Sequence, residues 1–379
     1  MITTFHVPTK IISGVGSFAR LGFETASIGN KAMLVTGKNA MHATGLLAHA
    51  RADLEINGIE ALVFDKVEPN PRSSTVDAGA DIARMEKIEV VIALGGGSAM
   101  DAAKGIVISA ISGNPIWHHV KTRQKAFGNM PKLITVPTVA ASGSESNSGA
   151  VITNWATHDK CVVSDSCAYP VVSIVDPLLT LTLPAKSTAQ GGVDIFCHLV
   201  EPYITAANPQ PLTDGIVETS LKLVIEHLLR AIRKPGDIEA RTQLSWASTV
   251  ACSDFAGLGG GDGVMTMHGM EHPLSGLYDI AHGDGLAALL PAWLGSLSDI
   301  RQTRLDKLGR NVFGEKDGIS AVEKWLETCN MNYRLRDLGV DKERLLDLGQ
   351  NAIDTASWLA AHPKKLDAKA VAAIYTNAW

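Results

Sequence analysis

VVIALGGGSAMDAAKG, residues Val90–Gly105, reads as a strand, a glycine turn and a helix in immediate succession. Val90–Leu94 is a continuous apolar run that stops at Gly95, and helical spacing resumes over Asp101–Ser112. A short strand that is apolar on both faces and feeds a helix belongs to a parallel sheet covered on two sides. Gly95, Gly96 and Gly97 let the backbone come close to a ligand, because no Cβ intervenes. The N–H groups at the helix start behind them, by Ser98, are unpaired and partly positive, so the turn suits a phosphate. Its plainer alternative is a tight strand-to-helix turn. The pattern is neither G-x-G-x-x-G nor a Walker loop, since Lys104 comes too late. Asp101, expected on the first helical turn, is either a favourable charge at the helix's positive end or a direct cofactor contact.

The same grammar extends outward. Ala32–Thr36, Glu60–Phe64 and Leu133–Val136 are further strand candidates, and Leu46–Asn57 and Ser73–Met85 have helical spacing. Strands and helices in alternation define an α/β domain with a parallel, Rossmann-like sheet, assigned to residues 1–183. From Ser187 onward helical periodicity takes over, with helices expected over Leu212–Leu229, Ala240–Ala256, Leu286–Leu297, Ser320–Leu338 and Lys342–Ala356. Residues 184–379 are therefore read as an all-α domain. Asp176-Pro177 and Leu183-Pro184 suit the boundary, and a cleft between two domains is a natural ligand site. After the first of these strand candidates comes a further loop, Gly37-Lys38-Asn39, also read as a cofactor contact. An acid near such a position holds the ribose hydroxyls of a dinucleotide and repels a 2′-phosphate. None is present in this loop, Gly37 leaves space and Lys38 supplies positive charge, which favours NADP(H) over NAD(H). The alternative for Lys38 is a solvated loop lysine.

A second constellation lies in the helical half. HGMEHPLSGLYDIAHG, His268–Gly283, brings His268, His272 and His282 close together. His268 and His272 share a helical face, Pro273 and Gly276 are expected to break the helix, and His282 arrives on a new segment. Two facing imidazoles and a third returned by a turn can serve a divalent metal; the alternative is a polar helix end with a structural histidine or two. Asp194 and His198, in GVDIFCH, also share a helical face among apolar neighbours. A buried carboxylate is costly unless paired or metal-bound. Asp194, His198, His268 and His282 together offer one oxygen and three nitrogens, a set for Fe2+ or Zn2+ and too nitrogen-rich for Mg2+ or Ca2+. The alternative for Asp194 and His198 alone is an internal hydrogen-bonded pair.

Composition narrows the classes. The net charge is −5 and Lys and Arg are scattered, so no basic stripe is available for nucleic acid. Five irregularly spaced cysteines without a C-x-x-C pair give neither a disulfide framework nor a thiolate zinc site. No apolar stretch is long enough to span a bilayer, and the N-terminus lacks the apolar run of a signal peptide. A cytoplasmic protein with no membrane partner is expected. The nearest thing to low complexity is Gly257–Gly263.

These motifs resemble the iron-containing alcohol dehydrogenase family over nearly the whole chain. Gly95–Gly105 is similar to its pyrophosphate loop, Pro137–Glu145 to its second cofactor loop, and Gly191–His198 with His268–Gly283 to its metal-ligand motifs. The SESNSGAVI stretch and the histidine segment are closest to the branch of NADPH-dependent butanol dehydrogenases and aldehyde reductases. The resemblance implies a dehydroquinate-synthase-like fold and a homodimer or larger homo-oligomer. It implies that Thr138, Ser142 and Lys160 contact the cofactor, and that Asn147 and Trp358 line the substrate pocket. It also implies that His272 lies beside the nicotinamide ribose as proton relay rather than ligand. The expected activity is interconversion of primary alcohols and aldehydes, with Fe2+ ahead of Zn2+. An NAD-dependent polyol dehydrogenase, a dehydroquinate-synthase-like lyase and a non-catalytic relative are the alternatives.

Overall fold

The apolar runs of the first half become one parallel sheet in the computed structural model, which describes residues 5–253, 258 and 261–379. Its strands are β1 (Lys10–Ser13), β2 (Lys31–Gly37), β3 (Glu60–Val67), β4 (Val90–Gly95), β5 (Lys132–Pro137) and, after an antiparallel hairpin of β6 (Gly149–Asn154) and β7 (Asp159–Ser164), β8 (Val172–Val175). They lie in the order β1-β8-β5-β4-β2-β3, and every pair is parallel. Helices α1 (Leu21–Ala26), α2 (Ala40–Ala43), α3 (Leu46–Ile56), α4 (Ser73–Met85), α5 (Gly97–Ser112) and α6 (Ile116–Thr122) complete this unit, Val7–Thr182.

The central strands β2 and β4 are covered on both faces, which is why they read as unbroken apolar runs. Ala32 and Leu34 of β2, with Val90, Ile92 and Leu94 of β4, pack beside Leu21, Leu47 and Leu54. The alternate residues Met33, Val35, Val91 and Ala93 pack on the other face beside Val76, Ile106 and Val107. The chain steps from β2 outward to β3, then returns past β2 to β4. The loops leaving the carboxyl ends of β2 and β4 therefore part at a topological switch point, where doubly wound sheets take ligands. Gly37 and Gly95 end those two strands.

The other unit is Leu183–Trp379, joined by Phe5 and His6. Its helices are α7 (Ala185–Thr205), α8 (Pro211–Arg233), α9 (Ile238–Ala251), α10 (Thr266–Tyr278), α11 (His282–Ser296), α12 (Ser298–Lys307), α13 (Gly318–Thr328), α14 (Leu345–Thr355) and α15 (Ala368–Ala378), and no strand occurs among its described residues.

Several expectations are corrected. α10 runs unbroken through Pro273 and Gly276 and ends only at Asp279, whose φ is 54°. Pro273 has no N–H to offer the Gly269 carbonyl, but the Tyr375 hydroxyl donates to the neighbouring Met270 carbonyl at 2.6 Å. The single helix expected over Ser320–Leu338 is α13 followed by a turn at Asn330 (φ 55°) and a short 3-10 turn, Leu335–Leu338. β1, β8 and the hairpin carry no continuous apolar signal. β1 and β8 are four residues each, and β6 and β7 mix polar with apolar side chains. The tail of the helix expected over Ala240–Ala256, residues 254–256, lies outside the described residues, as do 257, 259 and 260 of the glycine-rich stretch.

Glycines set how closely the helices approach. A Cβ on Gly283 would sit 2.5 Å from the Gln190 carbonyl oxygen, a backbone atom that cannot swing aside, whereas one on exposed Gly215 in α8 would meet nothing within 4 Å. Gly283→Ala is expected to cost about 1–3 kcal/mol through overpacking. Gly215→Ala is expected to add roughly 0.5–1 kcal/mol by removing a helix-interior glycine. Thermal melts of the two metal-free variants beside the parent protein check both signs.

Candidate nucleotide and metal sites

α7 carries Asp194 and His198 one turn apart, α10 carries His268, and His282 opens α11. Asp194 Oδ1 lies 3.5 Å from His198 Nδ1, 3.5 Å from His268 Nε2 and 3.7 Å from His282 Nε2. One ligand atom each from Asp194, His268 and His282 fall mutually within 4.8 Å. His198 falls outside that group of three, but its Nδ1 faces Asp194 Oδ1 and its ring stacks on that of His268 at 4.4 Å. Asp194, His198 and His268 are buried.

The donor set fits a divalent ion. Asp194 Oδ1, His198 Nδ1 and His268 Nε2 are buried with no hydrogen-bond partner, a cost that coordination removes. Their separations exceed hydrogen-bond length. Ligand atoms held tetrahedrally at about 2.1 Å from an ion stand roughly 3.4 Å apart, close to the spacing found. The protonation pattern is uneven. Burial pushes the His198 imidazole down to about 3, aided by His268 and His282 and resisted by Asp194. For His268 burial also opposes the charged form, but Glu201 and Asp194 outweigh it and raise the group to about 10. Burial opposes ionisation of Asp194 as well, yet His198, His268 and His282 hold its carboxyl below the usual range.

Two wholly buried carboxylates absent from the sequence reading stand behind these ligands. Glu201 accepts from His268 Nδ1 and Glu271 accepts from His282 Nδ1. Their spacing offered a signal: Glu201 is seven residues beyond Asp194, on the same face of α7, and Glu271 is three beyond His268 on α10. His272 stays outside the donor cluster, its ring 6.2 Å from that of His282. Trp358 meets His272 edge-on at 5.9 Å and is anchored by its Nε1, which donates to the Met265 carbonyl at 3.0 Å.

In the α/β unit the glycine turn and the second cofactor loop lie against each other, because β4 and β5 are neighbours. Thr138 N donates to the Gly95 carbonyl at 3.0 Å. A Cβ on Gly97 would be 2.9 Å from Ser142 Oγ, and one on Gly96 would be 3.2 Å from Val139 Cγ2. Ser98, half-buried, lies on the first turn of α5. Because α5 already starts at Gly97, Asp101 falls on its second turn rather than its first. Both its oxygens are engaged within the unit, accepting from Ser144 Oγ at 2.8 Å and Val151 N at 2.9 Å. Burial pushes this carboxyl up against the pull of Lys104 and those hydrogen bonds. Asp101 therefore braces the hairpin from within the unit. Asn147 does similar work: it accepts from Lys104 Nζ and Gly149 N and donates to the Gly143 carbonyl. These bonds shape the loop. Lys160, on β7, donates to Asn70 Oδ1 at 3.0 Å.

At the end of β2, Lys38 and Asn39 are exposed. The loop itself carries no acid, but the fold brings one beside it. Glu68, just past β3, places Oε1 3.7 Å from Lys38 Nζ and accepts from Thr75 Oγ1 at 3.0 Å. Lys38, Lys66, Glu68, Ser74 and Thr75 line a cavity of about 410 Å³. The acid was hidden because it comes from the adjacent strand, not from the loop itself.

The doubly wound sheet with a glycine turn at its switch point and the helical unit with an aspartate–histidine cluster belong to an oxidoreductase. Residues 8–177 match the iron-containing alcohol dehydrogenase family and residues 188–379 its C-terminal family, so the chain belongs to the iron-containing alcohol dehydrogenases. It is 32% identical to NADH-dependent butanol dehydrogenase A of Clostridium acetobutylicum, covering 99% of both chains. It is 30% identical to the NADPH-dependent aldehyde reductase YqhD of Escherichia coli, covering 89% of both. The structure of NADH-dependent butanol dehydrogenase A from Thermotoga maritima superposes with a TM-score of 0.93 at 31% identity, covering 100% of this chain and 98% of that one.

Lys104 explains how the second loop is held. It is wholly buried, and its Nζ donates to Ser144 Oγ at 2.7 Å, Asn147 Oδ1 at 2.9 Å and the Gly149 carbonyl at 2.7 Å. Lys104→Met would leave those acceptors unmet and the Asp101 carboxylate without its countercharge. We expect a loss of about 3–5 kcal/mol, read by urea unfolding; a loss within about 1 kcal/mol would deny Lys104 this role.

Proposed function

We propose that this chain interconverts primary alcohols and aldehydes, with NADP(H) preferred over NAD(H) and a divalent ion, Fe2+ ahead of Zn2+, held by Asp194, His198, His268 and His282. The observation that carries the reading is the convergence of buried, unpartnered donor atoms on one point between α7, α10 and α11. Once bound, the ion supplies a Lewis acid for the substrate oxygen and the nicotinamide supplies or takes up the hydride. The chain's own residues do the rest. Gly95, Gly96 and Gly97 open the backbone to the pyrophosphate, and Ser98 stands at the helix start behind it. Thr138, Ser142 and Lys160 complete the nucleotide site. His272, outside the ligand set, moves the proton, a task suited to an imidazole, and Trp358 bounds the space beside it.

The similarity to a butanol dehydrogenase and an aldehyde reductase supports an alcohol or aldehyde substrate. No helix among the described residues is long and apolar enough to cross a membrane. We propose a cytoplasmic homodimer or larger homo-oligomer. For the nucleotide, Lys38 with Gly37 and Asn39 favours the 2′-phosphate, and Glu68 beside Lys38 limits that preference.

Metal-loaded protein is expected to oxidise NADPH with short and medium aldehydes, and to do so faster than NADH. Absence of turnover with either nucleotide across the panel would overturn the function. Lys38→Ala should lower kcat/KM for NADPH about tenfold, the equivalent of about 1.4 kcal/mol, and leave the NADH value unchanged. His272→Ala should reduce kcat by about 10²-fold with metal content, measured by elemental analysis, unaltered.

A further inference from the structure

We infer that Glu201 and Glu271 are positioning residues of the metal site, each fixing one ligand histidine in the tautomer that turns Nε2 inward, with Glu201 the more demanding of the two. The inference rests on the metal reading of the Asp194 cluster. A neutral imidazole carries one N–H. When Nδ1–H donates to a glutamate, the Nε2 lone pair is left free for a metal, and the ring cannot rotate away without breaking that bond. His268 donates through Nδ1 to Glu201 and presents Nε2 to Asp194. His282 does the same with Glu271 and Asp194. Both glutamates are wholly buried, so their lone pairs have no water to fall back on.

The two sites are built differently. Glu201 Oε2 also accepts the backbone N–H groups of Met267, at 2.5 Å, and His268, at 3.2 Å. These belong to the first turn of α10, whose own N-cap residue, Met265, supplies no side-chain cap. One carboxylate from α7 thus caps α10 with one oxygen and orients its ligand with the other. Every group facing these two oxygens in those contacts is an N–H donor. Glu271 instead accepts from one imidazole, that of His282, and from the Ser275 hydroxyl. Ser275 Oγ donates to its Oε1 and lies 3.0 Å from the Ile280 carbonyl. Gly285 confines it, since a Cβ there would be 2.7 Å from Oε1.

Amide substitution separates the two. In Glu271→Gln the amide oxygen accepts from His282, the NH2 donates to Ser275 Oγ, and the hydroxyl turns its hydrogen to the Ile280 carbonyl, so the contacts with His282 and Ser275 survive while the charge is lost. In Glu201→Gln a single oxygen must choose between the helix cap and the imidazole, and the NH2 meets another donor. Zn2+ affinity, measured by chelator competition, should fall about 100-fold in Glu201→Gln and Glu271→Ala and about tenfold in Glu271→Gln, the range for lost outer partners of a metal-bound histidine. The d–d bands of the Co2+-loaded protein should shift in the first two and stay near the parent spectrum in Glu271→Gln. Should Glu201→Gln not fold, the two Glu271 variants still decide the point. Parent-like Zn2+ affinity in Glu271→Ala, or equal losses in Glu271→Ala and Glu271→Gln, overturns the inference. A parent protein that binds no Zn2+ or Co2+ removes the metal reading, and this inference with it.

Discussion

The helical unit is organised by the burial of one charged group, the Asp194 carboxylate. Taking a carboxylate out of water costs several kcal/mol even after relaxation, and nothing in the packing of α7 requires it. The cost is met by bringing three imidazoles to within 3.7 Å of Oδ1 from three helices. Such convergence needs helices that approach closely, and glycines next to the ligands permit it. A Cβ on Gly192, two residues before Asp194, would fall 2.3 Å from Leu228 Cδ1, and one on Gly283, beside His282, would strike the backbone of Gln190. The ligand geometry is therefore a product of helix spacing, and helix spacing is set where side chains are missing.

The α/β unit solves the converse problem. A dinucleotide is recognised largely through backbone N–H groups, so the sheet must deliver main chain to one point without side chains in the way. Parallel pairing of β4 with β5 puts the Gly95–Gly97 turn and the Thr138–Ser142 segment side by side. Behind them half-buried Asp101 and buried Lys104 grip Ser144 and the start of the hairpin. A buried pair of this kind is weak evidence for net stability; what it secures is the position of a polar loop that has no apolar face to hold it.

Most of this architecture was legible where one physical signal dominated. Doubly buried strands show as apolar runs, and Asp194 with His198 shows as an i,i+4 pair. The signal fades where strands are short or half-exposed, as in β1, β8 and the β6–β7 hairpin. It misleads at Pro273, where proline reads as a stop although α10 runs on through it to Tyr278. Three acids escaped for two different reasons. Glu201 and Glu271 keep helical register with the ligands but resemble ordinary helical charges until their burial is known. Glu68 has no sequence relation to Lys38 at all, because the β2–β3 pairing alone brings them together. The separation of His272 from the ligands came from family resemblance; spacing alone would have paired it with His268.

The charge within the cluster carries the argument furthest. Asp194, Glu201 and Glu271 place three carboxylates in the interior of one unit, and the ion pairs they form with the cluster are all to imidazoles. Imidazoles can balance that charge only by taking protons, and the neighbouring carboxylates push His268 up to about 10, against the effect of burial. Yet two protonated histidines side by side repel, and His198, stacked on His268, is pushed down to about 3. Protonation therefore meets the charge unevenly. A dication held by the inward lone pairs would meet it while the outward N–H groups stay with Glu201 and Glu271. The carboxylates behind the histidines are thus part of the same electrostatic demand that the Asp194 carboxylate begins.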